Sequence, residues 1–167
     1  MNPMITELNI MLDGLRQKEK ALLEILAITE NQQTVIKSDV SLDKTRELVF
    51  EMNIAKQEAI KMVKECDNMF ESMLRRIGKE LDATQHLYGA QVGVMQGFIK
   101  RIMDTDIKIR KTEEENNNLL DARREAEGFV EPPKQEKNSK LKPKISMPTN
   151  SAKVIQAYKQ GHKNFKG

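Results

Sequence analysis

The chain has no proline between Met4 and Glu131, whereas four of its five prolines lie beyond residue 131. Proline ends or kinks a helix because it lacks an amide hydrogen and its ring clashes with the preceding turn. A long proline-free segment of charged and aliphatic residues can therefore be helical over nearly its whole length, and the proline-rich end cannot. We expect a body of long helices followed by a tail.

The composition predicts an aliphatic core. Aromatic residues make up 4% of the 167 residues and tryptophan is absent, so Leu, Ile, Val and Met must build the core. A charged fraction of 32% is typical of coiled coils and long-helix bundles. The chain shows no long apolar run and no signal-peptide pattern, and its single cysteine cannot form an internal disulfide. These features predict a cytoplasmic protein.

The net charge of +3 conceals an asymmetry between body and tail. Residues 128–167 carry nine lysines and two glutamates, whereas acidic side chains outnumber basic ones in residues 1–127. The lysines could attract nucleic-acid phosphates, but the tail has no arginine and few aromatic residues for specific recognition. We favour a solvated tail that binds no specific nucleic acid.

Three apolar stripes with the alternating three- and four-residue spacing of a coiled coil predict three long helices. The first covers about residues 4–37, with the stripe Ile5, Leu8, Leu12, Leu15, Glu19, Leu22, Leu26, Thr29, Gln33 and Ile36. The second has the stripe Leu48, Met52, Ala55, Ala59, Met62, Cys66, Met69 and Met73, with Val49, Val63, Phe70 and Ile77 beside it. The third covers about residues 91–126, with the stripe Met95, Phe98, Ile102, Thr105, Ile109, Thr112, Asn116 and Leu119.

Turn-forming residues predict the connections. Ser38, Asp39 and Ser41 mark the first reversal, and the second lies between Gly78 and Gly89. We predict a helical bundle domain over 1–127, a disordered Lys/Pro-rich linker over 128–150, and a tail with a short helix over 151–167. The predicted fold class is all-α, an elongated antiparallel bundle or coiled coil of about three long helices with a disordered basic C-terminal tail.

Two local patterns have structural interpretations. Gly89, Gly93 and Gly97 recur every four residues and would form one smooth ridge on a helix. We interpret this ridge as a tight crossing against a neighbouring helix or as a helix start loosened by glycine, with a hinge that responds to a partner as the alternative. The acidic run Glu113 to Glu115 is interpreted as a solvated helix face.

No catalytic constellation is recognisable. The two histidines, His86 and His162, and the single Cys66 cannot supply the four ligands of a structural zinc site. Neither histidine belongs to a nucleophile motif, and no phosphate-binding glycine loop is present. We therefore expect a binding protein rather than an enzyme, with no cofactor, no metal and no small-molecule substrate.

Methionine is frequent on the second and third predicted helices. Because its side chain is flexible and polarisable, methionine suits grooves that accept the helices of several partners. Ordinary core packing is the alternative. Narrow apolar stripes that do not fully cover one another could leave room for an amphipathic helix of a partner.

Four segments of the sequence form a distinctive combination. They are the first helix (KEKALLEILAITENQQTVI, 18–36), the Ser-Asp turn after it, the element ENNNLLDARRE (115–125) and the tail sequence AYKQG (157–161). In these segments the chain resembles the FlgN-type flagellar export chaperones. The resemblance implies a cytoplasmic chaperone of type III flagellar export. Such a protein binds and shields the terminal helical segments of hook-filament junction (hook-associated) proteins and delivers them to the export apparatus.

The resemblance also implies roles for individual residues. The family pattern has two asparagines three apart, followed by a leucine pair; Asn116, Leu119 and Leu120 fit it, and Glu113 stands where the first asparagine is expected. A tail tyrosine of the family docks the chaperone at the export gate, a role that falls to Tyr158. The predicted partner-binding residues are Met95, Phe98, Ile102, Ile109, Asn116, Leu119 and Leu120.

Two other functions remain open at this point. The regular stripe of the first helix also suits a self-associating structural coiled coil, including a homodimer. The lysine-rich tail also suits a protein associated with nucleic acid.

Overall fold

The structure, a computed structural model, describes residues 2–128, which form three α-helices. They are α1 (Pro3–Ile36), α2 (Leu42–Thr84) and α3 (Gly89–Ala126), with a 3-10 turn at Gln85–Tyr88 that makes α2 and α3 one bent helical segment. No strand occurs in this part of the chain, and the all-α prediction is confirmed. The predictions for residues 129–167, including the short helix and Tyr158, lie outside the described residues.

Side-chain caps mark the beginnings of α1 and α2. Asn2 Oδ1 accepts a hydrogen bond of 2.9 Å from the amide of Met4, and proline stands at the first position of α1, where a missing amide hydrogen costs least. Ser41 Oγ accepts a hydrogen bond of 3.2 Å from the amide of Lys44 and caps α2. The turn residues predicted between the first two helices therefore lie where α1 ends and α2 begins.

Contacts between helix ends show that α1 and α2 are antiparallel. Arg76 Nη2 donates to Glu7 Oε2 at 2.6 Å, and Gln32 Nε2 donates to Asn53 Oδ1 at 2.8 Å. The beginning of α1 thus lies beside the end of α2, and the end of α1 lies beside the beginning of α2.

The same reasoning shows that α1 and α3 are parallel. Glu19 Oε2 accepts from Arg101 Nε at 2.7 Å, and Glu115 Oε2 accepts from Gln33 Nε2 at 3.1 Å. Because α1 is antiparallel to α2, the chain reverses at Gln85–Tyr88, inside the interval predicted from the sequence. The result is an up-down-up bundle of three helices.

Helix α1 is the central element of the bundle. Its backbone approaches those of both α2 and α3 closely, whereas α2 and α3 come close to each other at few points. Longer side chains fill the space between α2 and α3, among them the ion pair of Lys56 and Glu113. Among residues 2–128, no helix is both long and apolar enough to cross a bilayer.

The stripe predicted for α1 is only half confirmed: every second residue of the stripe, starting at Leu8, is buried, and most of the others are not. Leu8, Leu15, Leu22, Thr29 and Ile36 are buried as predicted. Of the remaining residues of the predicted stripe, only Leu12 is buried. A different row of residues on α1 is buried instead, namely Met4, Met11, Lys18, Ile25 and Gln32. Because α1 packs between two neighbours, it buries a wider surface than a helix that packs against a single partner. The polar residues Lys18 and Gln32 interrupt the apolar pattern of this second buried row, so the row was not recognised in the sequence.

The predicted stripe of α3 agrees with the structure better than that of α2. On α3, every member of the predicted stripe is buried except Thr112 and Leu119, which are half-buried. On α2 the flanking residues Val63, Phe70 and Ile77 are buried, while the stripe residues Ala55 and Met62 are exposed. Part of the predicted α2 stripe is therefore surface.

The glycine ridge does not form a tight crossing. A Cβ atom added at Gly89 or Gly93 would meet nothing within 4 Å, which contradicts that interpretation. The close approach lies instead at Gly14, where an added Cβ would clash with the end of the Met69 side chain. Gly14 leaves room on α1 for the end of the Met69 side chain.

Candidate functional site

The core of the bundle changes in character along its axis. The half that contains the α2–α3 turn is packed with apolar side chains such as Leu8, Phe70, Ile77 and Met95, and Gln85 is its buried polar residue. The other half contains the α1–α2 connection and the end of α3. Its core includes eight buried polar side chains, namely Lys18, Thr29, Gln32, Thr45, Lys56, Asp67, Thr105 and Asn116. We call it the polar half of the bundle.

A buried ion pair marks the border between the two halves. Lys18 of α1 donates to Asp67 of α2, and each side chain is only 6% exposed. Asp106 of α3 lies close enough to be affected by both charges. Burial raises the pKa of Asp106 to about 6, against the opposing effects of Arg110 and Lys18. Asp106 Oδ2 lies 3.6 Å from Arg110 Nε, so its ion pair is with its own helix, whereas Asp67 pairs with Lys18 across the bundle.

A second ion pair joins α2 to α3 within the polar half. Lys56, which is 1% exposed, donates to Glu113, whose side chain is 19% exposed. Burial lowers the pKa of Lys56, and the charge of Glu113 opposes this shift. Thr29 Oγ1 of α1 lies 3.4 Å from Glu113 Oε1 and donates to Ile25 O at 2.7 Å. Glu113 is therefore part of the core network, and the interpretation of the whole acidic run as solvated is wrong at this residue.

Asn116 lies one turn beyond Glu113, and only one of the two polar atoms of its side-chain amide has a hydrogen-bond partner within residues 2–128. Its Nδ2 donates to the carbonyl oxygen of Thr29 at 3.0 Å. Its Oδ1 is buried and has no hydrogen-bond partner among the described residues. Leaving a buried acceptor unpaired costs about 1–3 kcal/mol, so this atom is a position where a donor from another molecule would be favourable.

Arg123 joins α3 to the other two helices at the end of the polar half. Its guanidinium donates to Ile36 O at 3.0 Å, to Thr45 Oγ1 at 3.0 Å and to Val40 O at 2.8 Å. These acceptors belong to α1, to α2 and to the connection between them. One side chain of α3 therefore holds all parts of this end together.

Five of the seven predicted partner-binding residues are buried inside the bundle. They are Met95, Phe98, Ile102, Ile109 and Asn116, of which Phe98 is the most exposed at 8%. The guanidinium of Arg101 covers the ring of Phe98 at 4.5 Å from its centroid. A partner can reach these five side chains only if the bundle opens.

Leu119 and Leu120 are placed differently from the other predicted residues. Both are half-buried, and both lie in the polar half, one turn from Asn116. Met95 and Phe98 lie at the apolar end of α3, far from this group. The structure therefore brings together Asn116, Leu119 and Leu120 and separates them from Met95 and Phe98. Tyr158 lies outside the described residues.

Sequence reasoning missed the charged residues of the core. Lys56 stands midway in the gap between Val49 and Val63, and Lys18 stands between Met11 and Ile25, each at a seven-residue interval. This spacing was the available signal, because a lysine at a heptad core position needs a buried partner. The partners, Asp67 and Glu113, are on other helices and could not be assigned without the fold.

The remaining chemistry of the described residues is limited. Residues 2–128 contain no group of three or more His, Cys, Asp or Glu side chains that could hold a metal ion. Cys66 is buried, and burial raises the pKa of its thiol, which disfavours the reactive thiolate. What the polar half offers is hydrogen-bonding groups, paired charges and the unpaired Asn116 acceptor.

Comparison of the chain with protein-family models, with curated proteins and with solved structures gives no match.

Proposed function

We propose that this protein is a cytoplasmic chaperone of flagellar type III export. In this role it binds the terminal helical segments of hook-filament junction proteins, prevents their premature assembly and delivers them to the export apparatus. The proposal rests on the resemblance of the sequence to FlgN-type chaperones and on the geometry of the polar half. It places the contact at Asn116, Leu119 and Leu120.

The unpaired acceptor of Asn116 is the observation that carries the proposal. Its Oδ1 is buried without a donor among the described residues, and two half-buried leucines lie one turn further along α3. A helical segment brings unpaired amide hydrogens at its N-terminus and apolar side chains along one face. Such a segment could satisfy the Asn116 acceptor and cover Leu119 and Leu120 together.

The polar core lowers the cost of admitting that segment. Burial of apolar surface provides most of the stability of a helix bundle, at about 25 cal/mol per Å². Where polar side chains share the core, less apolar surface must be exposed when the helices separate. We expect the end of α3 to move away from α1 and α2 more readily than the apolar half does.

A pair of substitutions at the leucines tests this contact. We expect Leu119→Asp with Leu120→Asp to abolish co-purification of a C-terminal junction-protein segment, because two carboxylates would enter an apolar contact. The helical circular dichroism signal should remain, since both side chains are outside the hydrophobic core cluster. Val94→Asp with Ile107→Asp is the matched control, because these α3 side chains are 50% and 61% exposed.

Asn116→Leu separates binding from folding. It removes the unpaired acceptor, so it should stabilise the free protein while weakening capture of the partner segment. Undiminished capture by both the leucine double variant and Asn116→Leu would show that the partner binds elsewhere. Tyr158→Ala should leave capture unchanged and reduce export, because the resemblance assigns Tyr158 to docking at the export gate.

A further inference from the structure

An apolar seam lies on the outside of the bundle between α1 and α2. Gly14 of α1 contacts Met69 of α2, as the clash of an added Cβ shows. Because the two helices are antiparallel, moving seven residues towards the C-terminus of α1 corresponds to moving seven residues towards the N-terminus of α2. Gly14 opposite Met69 therefore leads to Ala21 opposite Met62, and then to the pairs Ile28 with Ala55 and Val35 with Leu48. We call Ile28, Val35, Leu48, Ala55, Met62 and Met69 the α1–α2 seam.

The α1–α2 seam is an apolar surface that the bundle covers only in part. Met62 is 42% exposed and Ala55 is exposed, while the other four residues are half-buried. The seam continues over three heptads, which corresponds to about 30 Å of helix. An amphipathic helix of two to three turns would fit along part of it.

Carboxylates border this seam. Glu51, Glu58 and Glu65 are spaced by seven residues along α2, on the solvent side of Leu48, Ala55 and Met62, and all three are exposed. Glu24 occupies the corresponding outer line of α1 and is exposed as well. Within residues 2–128 none of these four carboxylates takes part in an ion pair. The seam therefore suits a helix that carries lysines beside its apolar face.

Such a segment exists in this chain, outside the described residues. Residues 151–160 (SAKVIQAYKQ) combine Val154, Ile155 and Tyr158 with Lys153 and Lys159. At helical spacing the three apolar side chains would share roughly one face. We propose that residues 151–160 bind the α1–α2 seam of the same molecule, with lysines of the tail facing Glu51, Glu58 and Glu65.

The point of attachment favours this intramolecular contact. Arg123 holds the end of α3 against Ile36 and Val40, so the chain leaves the bundle beside the Val35–Leu48 end of the seam. Twenty-two residues separate Gly128 from Ser151. A chain of that length reaches up to about 70 Å, and a tether of this kind gives an effective concentration on the order of millimolar.

The contact would make the accessibility of the basic tail depend on competing partners. While it is bound to the seam, Tyr158 and the neighbouring lysines are held against the body. A partner that competes for the tail or for the seam would release them. This inference does not depend on the proposed chaperone function, because it concerns another face of the bundle and a contact within one chain.

Photocrosslinking of the full-length chain tests the proposal. Benzoylphenylalanine replaces Tyr158, and mass spectrometry locates its crosslinks in the band that migrates as a monomer. We expect crosslinks to peptides that contain Met62 or Met69. Their yield should fall at least about threefold with Glu58→Lys and Glu65→Lys, and with increasing salt, because the attraction is between exposed charges.

The control variant carries Asp104→Lys and Glu114→Lys, an equal charge reversal at exposed positions of α3. We expect it to retain most of the seam crosslinks. Val154→Asp with Ile155→Asp should abolish them without changing any exposed charge of the bundle. Crosslinks scattered over the bundle, crosslinks only in a dimer band, or equal loss in the seam and control variants would overturn the proposal.

Discussion

Individual charged residues decide how the core of this bundle responds to pH. Lys18 pairs with Asp67, and the nearby Asp106 forms an ion pair of 3.6 Å with the more exposed Arg110. Burial raises the pKa of Asp106 to about 6, from an ordinary value of 3.8. The folded protein therefore binds a proton at Asp106 more readily than the unfolded chain does.

The free energy of unfolding should consequently decrease as the pH rises from about 4 to about 6.5. In this interval the folded state holds more protons than the unfolded state, so the slope of stability against pH is negative for this group. We expect Asp106→Asn to flatten that part of the profile and to stabilise the protein at pH 7.5 by about 1 kcal/mol, a value reduced because Asp106 is only partly buried.

Urea unfolding across a pH series measures both effects. Asp104→Asn is the control, because Asp104 lies on the exposed face of the same helix. A profile of the Asp106→Asn variant that runs parallel to that of the unmodified protein would show that Asp106 does not titrate in this range.

At the scale of the helices, glycines distinguish close packing from open surface. Gly14 makes room for the end of the Met69 side chain of α2, whereas Gly93 on α3 has no neighbouring atom within 4 Å of an added Cβ. The same residue type thus costs helix stability at both positions but has a packing role at only one of them. The repeating glycine pattern on α3 was the more conspicuous in the sequence, and it was the less informative.

Two alanine substitutions should reveal this difference. Gly93→Ala should raise the free energy of unfolding by about 1 kcal/mol, which is the difference in helix propensity. Gly14→Ala should gain less, because the end of the Met69 side chain must move, and Gly14→Val should destabilise the bundle by about 1–3 kcal/mol because the larger, branched side chain displaces Met69 from its place against Gly14. Chemical denaturation of the three variants gives these values.

An equal gain from the alanine substitutions at Gly14 and Gly93, together with a tolerated valine at Gly14, would contradict the packing of Met69 against Gly14. Circular dichroism at matched protein concentration would confirm that the three variants keep their helical content.

At the scale of the whole molecule, the bundle combines an apolar half with a polar half. Apolar burial stabilises the half around the α2–α3 turn, while the other half depends on hydrogen bonds and ion pairs, whose net contributions are smaller. Arg123 links the helices at the end of the polar half. Local opening should therefore begin there and spread towards the turn.

Hydrogen exchange should show this gradient. We expect slow amide exchange in the apolar half and faster exchange at the end of α1 and the beginning of α2. Arg123→Ala should accelerate exchange in residues 32–45 by about tenfold, since it removes hydrogen bonds of a charged donor, and should leave the apolar half unchanged.

Arg75→Ala, at an exposed position of α2, is the matched control and should change neither half. A uniform exchange rate along the three helices, or a uniform acceleration in the Arg123→Ala variant, would show that the bundle opens as one unit.

The periodic pattern of the sequence was sufficient to predict the helices and their approximate number. The absence of proline from the body, the turn residues around Ser41 and the apolar stripes all act locally, within one helix, and so can be recognised in the chain itself. The stripe of α3 was predicted almost completely because it faces the core with a regular spacing. The same pattern placed Met95, Phe98, Ile102 and Ile109 on one face of α3 as candidate binding residues, but it did not predict that they are buried.

Relations between helices were decided by the tertiary structure. Only the packing of α1 between α2 and α3 shows that Met95, Phe98, Ile102 and Ile109 are buried, and that Lys18 and Lys56 find their carboxylates on other helices. It also separates the half-buried Leu119 and Leu120 from the core and leaves one side of the α2 stripe exposed. Helical periodicity states which side chains share a face, whereas burial depends on what lies opposite that face, and that is a property of the assembled bundle.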